Sequence, residues 1–508
     1  MQQERIRKIV EKVGLCRERR VATFGSDTHC FALERVSEAE LAAFETKHGV
    51  ALPPDFRAFL VQAGIGAGPY YGLLGPSRLG DVLYGDGDPI ASIAKPFLFA
   101  PETKRTDEAF EAAKKDTDEP FQGAIAIADQ GCAYYAALVV AGPHAGRVVY
   151  VSLDGGVPLF VESPDFLSWY ERWVDELLAG CKHFWFGTDM PGSEAELTAI
   201  AKDARAPRRA DALAAMYKLP RLDDATQAVV ATRIRDVDAS VRGAALGLAA
   251  KFALVETSHH VRAALDDAVA GVRAAALSAL VAIGGAWHDD ARRMLRDADD
   301  EVASRALREL EKAKALREED ALPLVACGRE RIVEASLRAL ASMPSERVAA
   351  AAIPLASDDG ERDVAGECSV PTPLASESVG RAALATMLAC VRVGQITDAQ
   401  RREALDVVLA RAAQRLHAIE LQALAAFAAR EPRALETLVA ATRHEDGFVR
   451  FDAAIALGET GCIEAIDALE ALASDATLPR DTNRSTAWSV GESAKRALAK
   501  IRARLGNA

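Results

Sequence analysis

The stretch from Ser37 to Gly64, SEAELAAFETKHGVALPPDFRAFLVQAG, reads as two short helices held at a fixed angle. Ser37 and Glu40 are spaced as a capping box, in which each residue's side chain satisfies the other's backbone N–H. Leu41, Phe44 and Glu45 follow at helical spacing, and Gly49 supplies the left-handed stop. Val50 and Leu52 bring the chain back toward the core. Pro53 and Pro54 open the second helix, where a missing N–H costs little. Phe56, Phe59 and Leu60 form its apolar face, and Gly64 ends it.

Working outward, a charged helix is expected over roughly residues 3–14, and strand signals follow the two opening helices. Lys95–Ala100 (KPFLFA) is short and apolar. Ala124–Ala128 (AIAIA) and Ala133–Val140 (AYYAALVV) are separated by Asp-Gln-Gly, which reads as a hairpin turn. Arg147–Leu153 pairs with Val157–Val161 across Asp-Gly-Gly in the same way. A final amphipathic helix, Ser163–Leu178, places Phe166, Leu167, Tyr170, Trp173, Val174 and Leu177 on one buried face at three- and four-residue steps.

The order of these signals resembles the SUKH superfamily, the Smi/Knr-type domain. The resemblance rests on the acidic helix, Gly-Val-x-Leu-Pro and aromatic helix at one end. At the other end it rests on the glycine-turn meander and the Ser…Phe-x-x-Trp…Trp closing helix. It covers about residues 30–180. It implies an α+β fold that works by binding other proteins without catalysis, as bacterial toxin-immunity proteins and fungal cell-wall regulators of that family do.

Composition changes near residue 187. Glycine, tyrosine and tryptophan concentrate before it, while alanine and leucine dominate after it, and only 6% of the whole chain is aromatic. The expected organisation is therefore a domain over 1–186, a linker over 187–194 with a helix cap at Ser193, and helical repeats over 195–508. A slot of the form "Asp, a few residues, Val-Arg, Ala/Leu helix" recurs after the boundary. Strong copies fall at Arg242, Arg273, Arg305 and Arg450, and weaker ones at Glu334, Gly380, Glu420 and Gly491. The basic step of about 30 residues is one helical hairpin, and an insertion is expected at Asp358–Ser376. These repeats resemble HEAT repeats, which implies an α-solenoid stabilised by stacking, each hairpin covering one face of the next. The slot arginines are expected to reach aspartates of the same or the next repeat.

The eight cysteines are scattered without a Cys-x-x-Cys pair and read as buried small residues of a reducing compartment. The charged N-terminus lacks the apolar core of a signal peptide, and no apolar run spans a bilayer. Cytoplasmic localisation is the expectation. A net charge of −13 argues against general nucleic-acid binding and suits a basic protein partner.

Motifs for chemistry are weak. The glycines at 64, 66, 68, 72 and 75 follow a helix and run into Pro69-Tyr70-Tyr71, which is the wrong context for a dinucleotide loop. Tyr84-Gly-Asp86-Gly-Asp88 resembles the start of a calcium loop but lacks the later glutamate. Histidine and carboxylate spacing offers no zinc set, so neither a metal nor a cofactor is expected. The candidate protein-binding residues are Tyr70, Tyr71, Asp86 and Asp88, at the edge of the loop that Gly64 releases. The leading reading is a non-catalytic immunity or adaptor protein of bacterial style, possessing a HEAT scaffold and neutralising a basic toxin domain. Its rivals are a HEAT-type enzyme (lyase-like or DNA-glycosylase-like) and a structural or regulatory scaffold unrelated to toxins. Partner identity, oligomeric state and the face used stay open at this point.

Overall fold

The computed structural model describes residues 2–80, 82–84, 87–115, 117, 119–183, 185–357, 379–479 and 488–506. The chain divides into two compact units, Met1–Gly284 and Gly285–Ala508. The first contains an α+β domain and three helical hairpins; the second contains six helical hairpins among its described residues.

The Ser37–Gly64 segment folds as its caps dictate. Ser37 Oγ accepts the Glu40 N–H at 3.2 Å, and Glu40 Oε2 accepts the Ser37 N–H at 2.9 Å. The helix Glu38–His48 ends at Gly49, whose φ of 64° is left-handed, and the next helix runs Pro54–Gln62. Gly64 is required sterically, because its φ is +113° and a Cβ there would lie 1.9 Å from the Glu34 carbonyl oxygen. That close approach permits the short pairing of Leu33–Glu34 with Ile65–Gly66.

Four antiparallel strands form the main sheet in sequential order: β1 (Ala124–Gly131), β2 (Tyr134–Val139), β3 (Val148–Ser152) and β4 (Leu159–Phe160). The alanine-rich stretch of β1 is wholly buried. The closing helix Phe166–Leu178 packs its aromatic face on the opening helices, with Phe166 4.8 Å from Phe56 and Tyr170 4.5 Å from Phe59 between ring centroids. Full burial of each such ring contributes roughly 1.5–3 kcal/mol, so Phe59→Ala strikes at the centre of this core. Tyr170 satisfies its hydroxyl by donating to the Ala67 carbonyl at 2.7 Å.

Two local expectations change. Lys95–Ala100 is not a strand; Phe97 and Phe99 are buried, but Pro96 has no N–H to give and Phe97 makes a single ladder-like bond, N–H to the Ala141 carbonyl. The β1–β2 turn falls at Cys132-Ala133 rather than at Asp129-Gln130-Gly131. Asp129 Oδ1 accepts the Gly131 N–H at 2.8 Å, and positive φ at Gly131 (89°) and Cys132 (53°) completes the reversal. Cysteine burial also divides: Cys16, Cys181 and Cys390 are buried, whereas Cys30, Cys132 and Cys327 are exposed. Cys368 and the predicted insertion at 358–376 lie outside the described residues.

In the first unit the hairpins pair Glu194–Ile200 with Ala206–Ala215, Asp224–Arg233 with Ala239–Lys251, and Ser258–Ala263 with Ala270–Ile283. Asp238 caps its helix by accepting the Ser240 and Val241 N–H groups; in the second unit Asp299 accepts those of Glu301 and Val302, and Asp446 accepts that of Phe448 alone. The slot arginine joins neighbouring repeats. Arg242 grips Asp267 with two bonds of 2.7 and 2.8 Å, and its Nη1 donates to the Asp236 and Val237 carbonyls. Arg209 treats Asp236 identically, at 3.0 and 2.7 Å, so the array begins one hairpin before the first slot the Val-Arg pattern reveals. Arg450 gives a variant of this arrangement: its Nε bonds Asp475 at 2.8 Å, its Nη2 donates to Thr477 Oγ1 at 3.1 Å, and its Nη1 donates to the His444 and Glu445 carbonyls.

In the second unit, the slot position Glu420 is buried and accepts from Arg411 of the preceding helix at 2.9 Å, reversing the polarity of the pair. Arg305 bonds Glu301 one turn earlier in its own helix, because Val302 is followed by Ala303 where the other strong slots carry arginine. Neighbouring second helices approach closely through small residues. A Cβ on Gly458 would lie 2.9 Å from Ala497 Cα.

Candidate functional site: an aromatic cluster on the α+β domain

The loop after Gly64 places its two tyrosines differently. Tyr70 has a left-handed φ of 59° and is buried, donating its hydroxyl to the Phe186 carbonyl at 3.2 Å. Tyr150 donates to the same carbonyl at 2.6 Å and receives the Trp169 indole N–H at 3.1 Å. Burial pushes both hydroxyls well above the ordinary tyrosine range, so they act as fixed donors. This pair of hydroxyls pins the Trp185-Phe186 segment to the sheet.

Tyr71 instead faces outward at 41% exposure, beside Phe24 at 62%. Their ring centroids are 5.4 Å apart and edge-to-face, and Phe24 also meets Tyr70 at 6.4 Å. Trp185 lies 6.0 Å from Tyr70 and 5.0 Å from Tyr134, itself 40% exposed at the start of β2. Phe24, Tyr71 and Tyr134, with half-buried Trp185 between them, therefore make an aromatic cluster mounted on a hydrogen-bonded base. The tight turn contributes to its rigidity, since a Cβ on Gly131 would touch the Tyr71 ring at 3.1 Å. The Tyr71 N–H is itself held by the Asp129 carbonyl at 3.2 Å. Rigid, partly exposed aromatic rings of this kind are the residues that carry binding energy at protein interfaces.

The acidic candidates sit apart in role. Asp88 caps the short helix Pro89–Ser92, accepting the Ile90 N–H at 2.9 Å and the Ala91 N–H at 3.2 Å. Asp86 lies outside the described residues. Phe24 and Trp185 join this aromatic cluster without being announced by the sequence, being distant in the chain from Tyr71. The run Trp185-Phe186 just before the compositional boundary is the one local hint of them. Among the described residues, no group of three or more His, Cys, Asp or Glu side chains is placed to hold a metal ion.

Behind the cluster, the closing helix meets the first hairpin through a buried ionic network. Lys218 Nζ lies 2.5 Å from Glu176 Oε1 and 3.3 Å from Asp189 Oδ2, and donates to the Met190 carbonyl at 3.1 Å. Arg172 joins Glu176 at 3.0 Å and Asp189 at 2.8 Å, and His183 Nε2 stands 3.0 Å from Glu176 Oε2. Burial alone would raise the Glu176 carboxyl; the His183 hydrogen bond and the Arg172 and Lys218 charges overcome it and bring it down to about 2. The connecting residues thus run under ionic restraint at Asp189.

The architecture defines a class: an α+β domain followed by helical repeats. In agreement, residues 35–172 match the SMI1/KNR4 family (SUKH-1), and residues 405–491 match HEAT repeats. The chain therefore carries an N-terminal SUKH domain and a C-terminal HEAT array. No curated protein matches the chain. Among solved structures, YibA of E. coli is 12% identical with a TM-score of 0.34, the match covering 61% of this chain and 93% of that one. Kap121p bound to Ste12p is 13% identical with a TM-score of 0.40, covering 61% of this chain and 37% of its own. Kap95p, in a structure with RanGDP, is 12% identical with a TM-score of 0.40, covering 67% and 49%. At these scores the likenesses carry no functional argument. No helix among the described residues is long and apolar enough to cross a membrane.

Proposed function

We propose that this chain is a non-catalytic immunity or adaptor protein that masks a protein partner with its SUKH domain and uses the HEAT array as a scaffold. In this reading residues 1–186 are the binding module, 187–194 the connection and 195–508 the scaffold. The observation that carries it is the cluster of exposed Phe24, Tyr71 and Tyr134 around half-buried Trp185 on a hydrogen-bonded base. Such a surface supplies large contact area at little ordering cost. The net charge of −13 supports a basic partner, because complementary charge raises the encounter rate and selectivity. A basic toxin domain of a bacterial cytoplasm is the specific form of the proposal. Tyr70 enters as the buried support of the site and Tyr71 as a contact, with Asp86 and Asp88 as acidic neighbours along the chain.

The test is capture from lysate with the full chain as bait, identified by tandem mass spectrometry. Stoichiometric recovery of a basic protein supports the reading. Recovery of no stable partner counts against it. A toxin-type gene beside this one would support the immunity form, and its absence would leave the adaptor form.

A further inference from the structure

The second unit contains a groove of about 430 Å³ lined from three consecutive second helices, Val379–Val393, Ala418–Ala425 and Gly447–Thr460. Its apolar lining includes Ala425, Ala456 and Ile455, the last standing 39% exposed within its helix. Alanine at these positions leaves open a space that larger side chains would fill. The polar lining is Arg392, Gln422 and Glu459. Glu459 is answered twice: it pairs with Lys500, and its Oε2 lies 3.8 Å from Arg504 Nη2. Arg392 and Gln422 are exposed, and among the described residues neither side chain has a hydrogen-bond or ion-pair partner. Three cations therefore stand against one carboxylate at this groove, although the chain as a whole carries a net charge of −13.

Each part of this lining suits a different group. A guanidinium with its donors free presents a planar fork that matches a carboxylate. Ile455 and the alanines offer contact to an apolar side chain, which leaves water on binding. The Gln422 amide both donates and accepts, as a peptide backbone requires. A free inorganic anion would leave Ile455 uncovered. A nucleic acid would bring many phosphates to one unpaired guanidinium beside Glu459, on an acidic chain. A peptide meets all three groups together. We infer that this groove receives a segment of a protein partner in which an aspartate or glutamate adjoins an apolar side chain. This rests on the protein-binding reading and gives the HEAT array a contact of its own, with the charge preference opposite to that of the chain as a whole. A preformed lining lowers the ordering cost that falls on the protein.

The experiment uses the full chain and a labelled heptapeptide with two glutamate–leucine pairs set in glycine, followed by fluorescence anisotropy. A lysine–leucine heptapeptide tests the charge, a glutamate–serine heptapeptide tests the apolar half, and a labelled single-stranded oligonucleotide tests the nucleic-acid alternative. Arg392→Gln removes the unpaired guanidinium, and Gln422→Trp fills the groove from an exposed position. Arg402→Gln removes an equal charge from an exposed site on a first helix of the same unit, outside the groove. The expected result is saturable binding of the glutamate–leucine peptide, at least about tenfold weaker in both groove variants and changed by less than about twofold in the control. The other three probes should bind wild type at least about tenfold more weakly than this peptide. Equal losses in Arg392→Gln and Arg402→Gln would reduce the effect to general attraction and overturn the inference. Absence of binding, unchanged binding by Gln422→Trp, or equal or tighter binding of any of the other probes would overturn it as well. Failure here leaves partner capture by the aromatic cluster standing, since Phe24 and Tyr71 belong to the first unit and do not line this groove.

Discussion

Lys218 Nζ lies 2.5 Å from Glu176 Oε1, joining two residues that belong to different modules and are 42 positions apart. Lys218 is 4% exposed, and Glu176 and Asp189 are the carboxylates that pair with it there. Breaking a buried pair leaves an uncompensated charge and costs about 3–5 kcal/mol. Lys218→Met is accordingly expected to destabilise the SUKH domain and the first hairpin together, by roughly 3 kcal/mol. Hydrogen exchange on the full chain checks this: protection should fall in both Phe166–Leu178 and Ala206–Ala215. Loss confined to one of them would contradict the coupling.

Acid should act on the same network. Glu176 titrates near 4.5 when unfolded and at about 2 in the fold, where burial is outweighed by the His183 hydrogen bond and the charges of Arg172 and Lys218. A depressed carboxyl stabilises the fold above its unfolded pKa, and that contribution disappears as pH falls from 4.5 toward 2. The linkage is on the order of 3 kcal/mol. Denaturation of wild type and Glu176→Gln as a function of pH should show a shallower acid limb in the variant across that window. Parallel limbs would exclude Glu176 as the group concerned.

The repeat ladder predicts a difference between arginine and lysine. Arg242 makes two bonds to Asp267 and two to backbone carbonyls, a fork that lysine cannot reproduce. Arg242→Lys should therefore lose nearly as much stability as Arg242→Ala, about 1–3 kcal/mol in each. Thermal unfolding of the two variants side by side distinguishes this from a simple charge contribution, for which lysine would rescue.

Much of the fold is legible because its signals are local. Ser37 and Glu40 cap a helix three residues apart, Gly49 and the proline pair set the boundaries, and the closing helix shows its buried face through periodicity. Lys95–Ala100 misleads because apolar residues at core positions look alike whether or not their backbone pairs. The β1–β2 turn moves because Asp129 bonds ahead to Gly131 and the strand continues through it. Arg209 escapes the Val-Arg pattern because it follows Arg208, although its bonds to Asp236 reproduce the ladder. The aromatic cluster is legible only in part: the sequence singles out Tyr70 and Tyr71 together without separating the buried ring from the exposed one, and Phe24 and Trp185 join them only through tertiary contact.

Tyr70 and Tyr71 should separate stability from binding. Tyr70→Phe removes a buried hydroxyl bonded to the Phe186 carbonyl and should cost about 1 kcal/mol of stability. Tyr71→Ala, half-exposed, should leave unfolding close to wild type while weakening partner capture. Paired melting curves and capture yields for the two variants check this assignment.

The most direct measurement is the dissociation constant of the captured partner for wild type and for the Phe24→Ala, Tyr71→Ala double variant, by titration calorimetry with the full chain. Removing two aromatic anchors from a binding surface should cost at least about 2 kcal/mol, some thirtyfold in affinity, with unfolding behaviour retained. An unchanged dissociation constant would contradict the assignment of the aromatic cluster as the partner-binding surface.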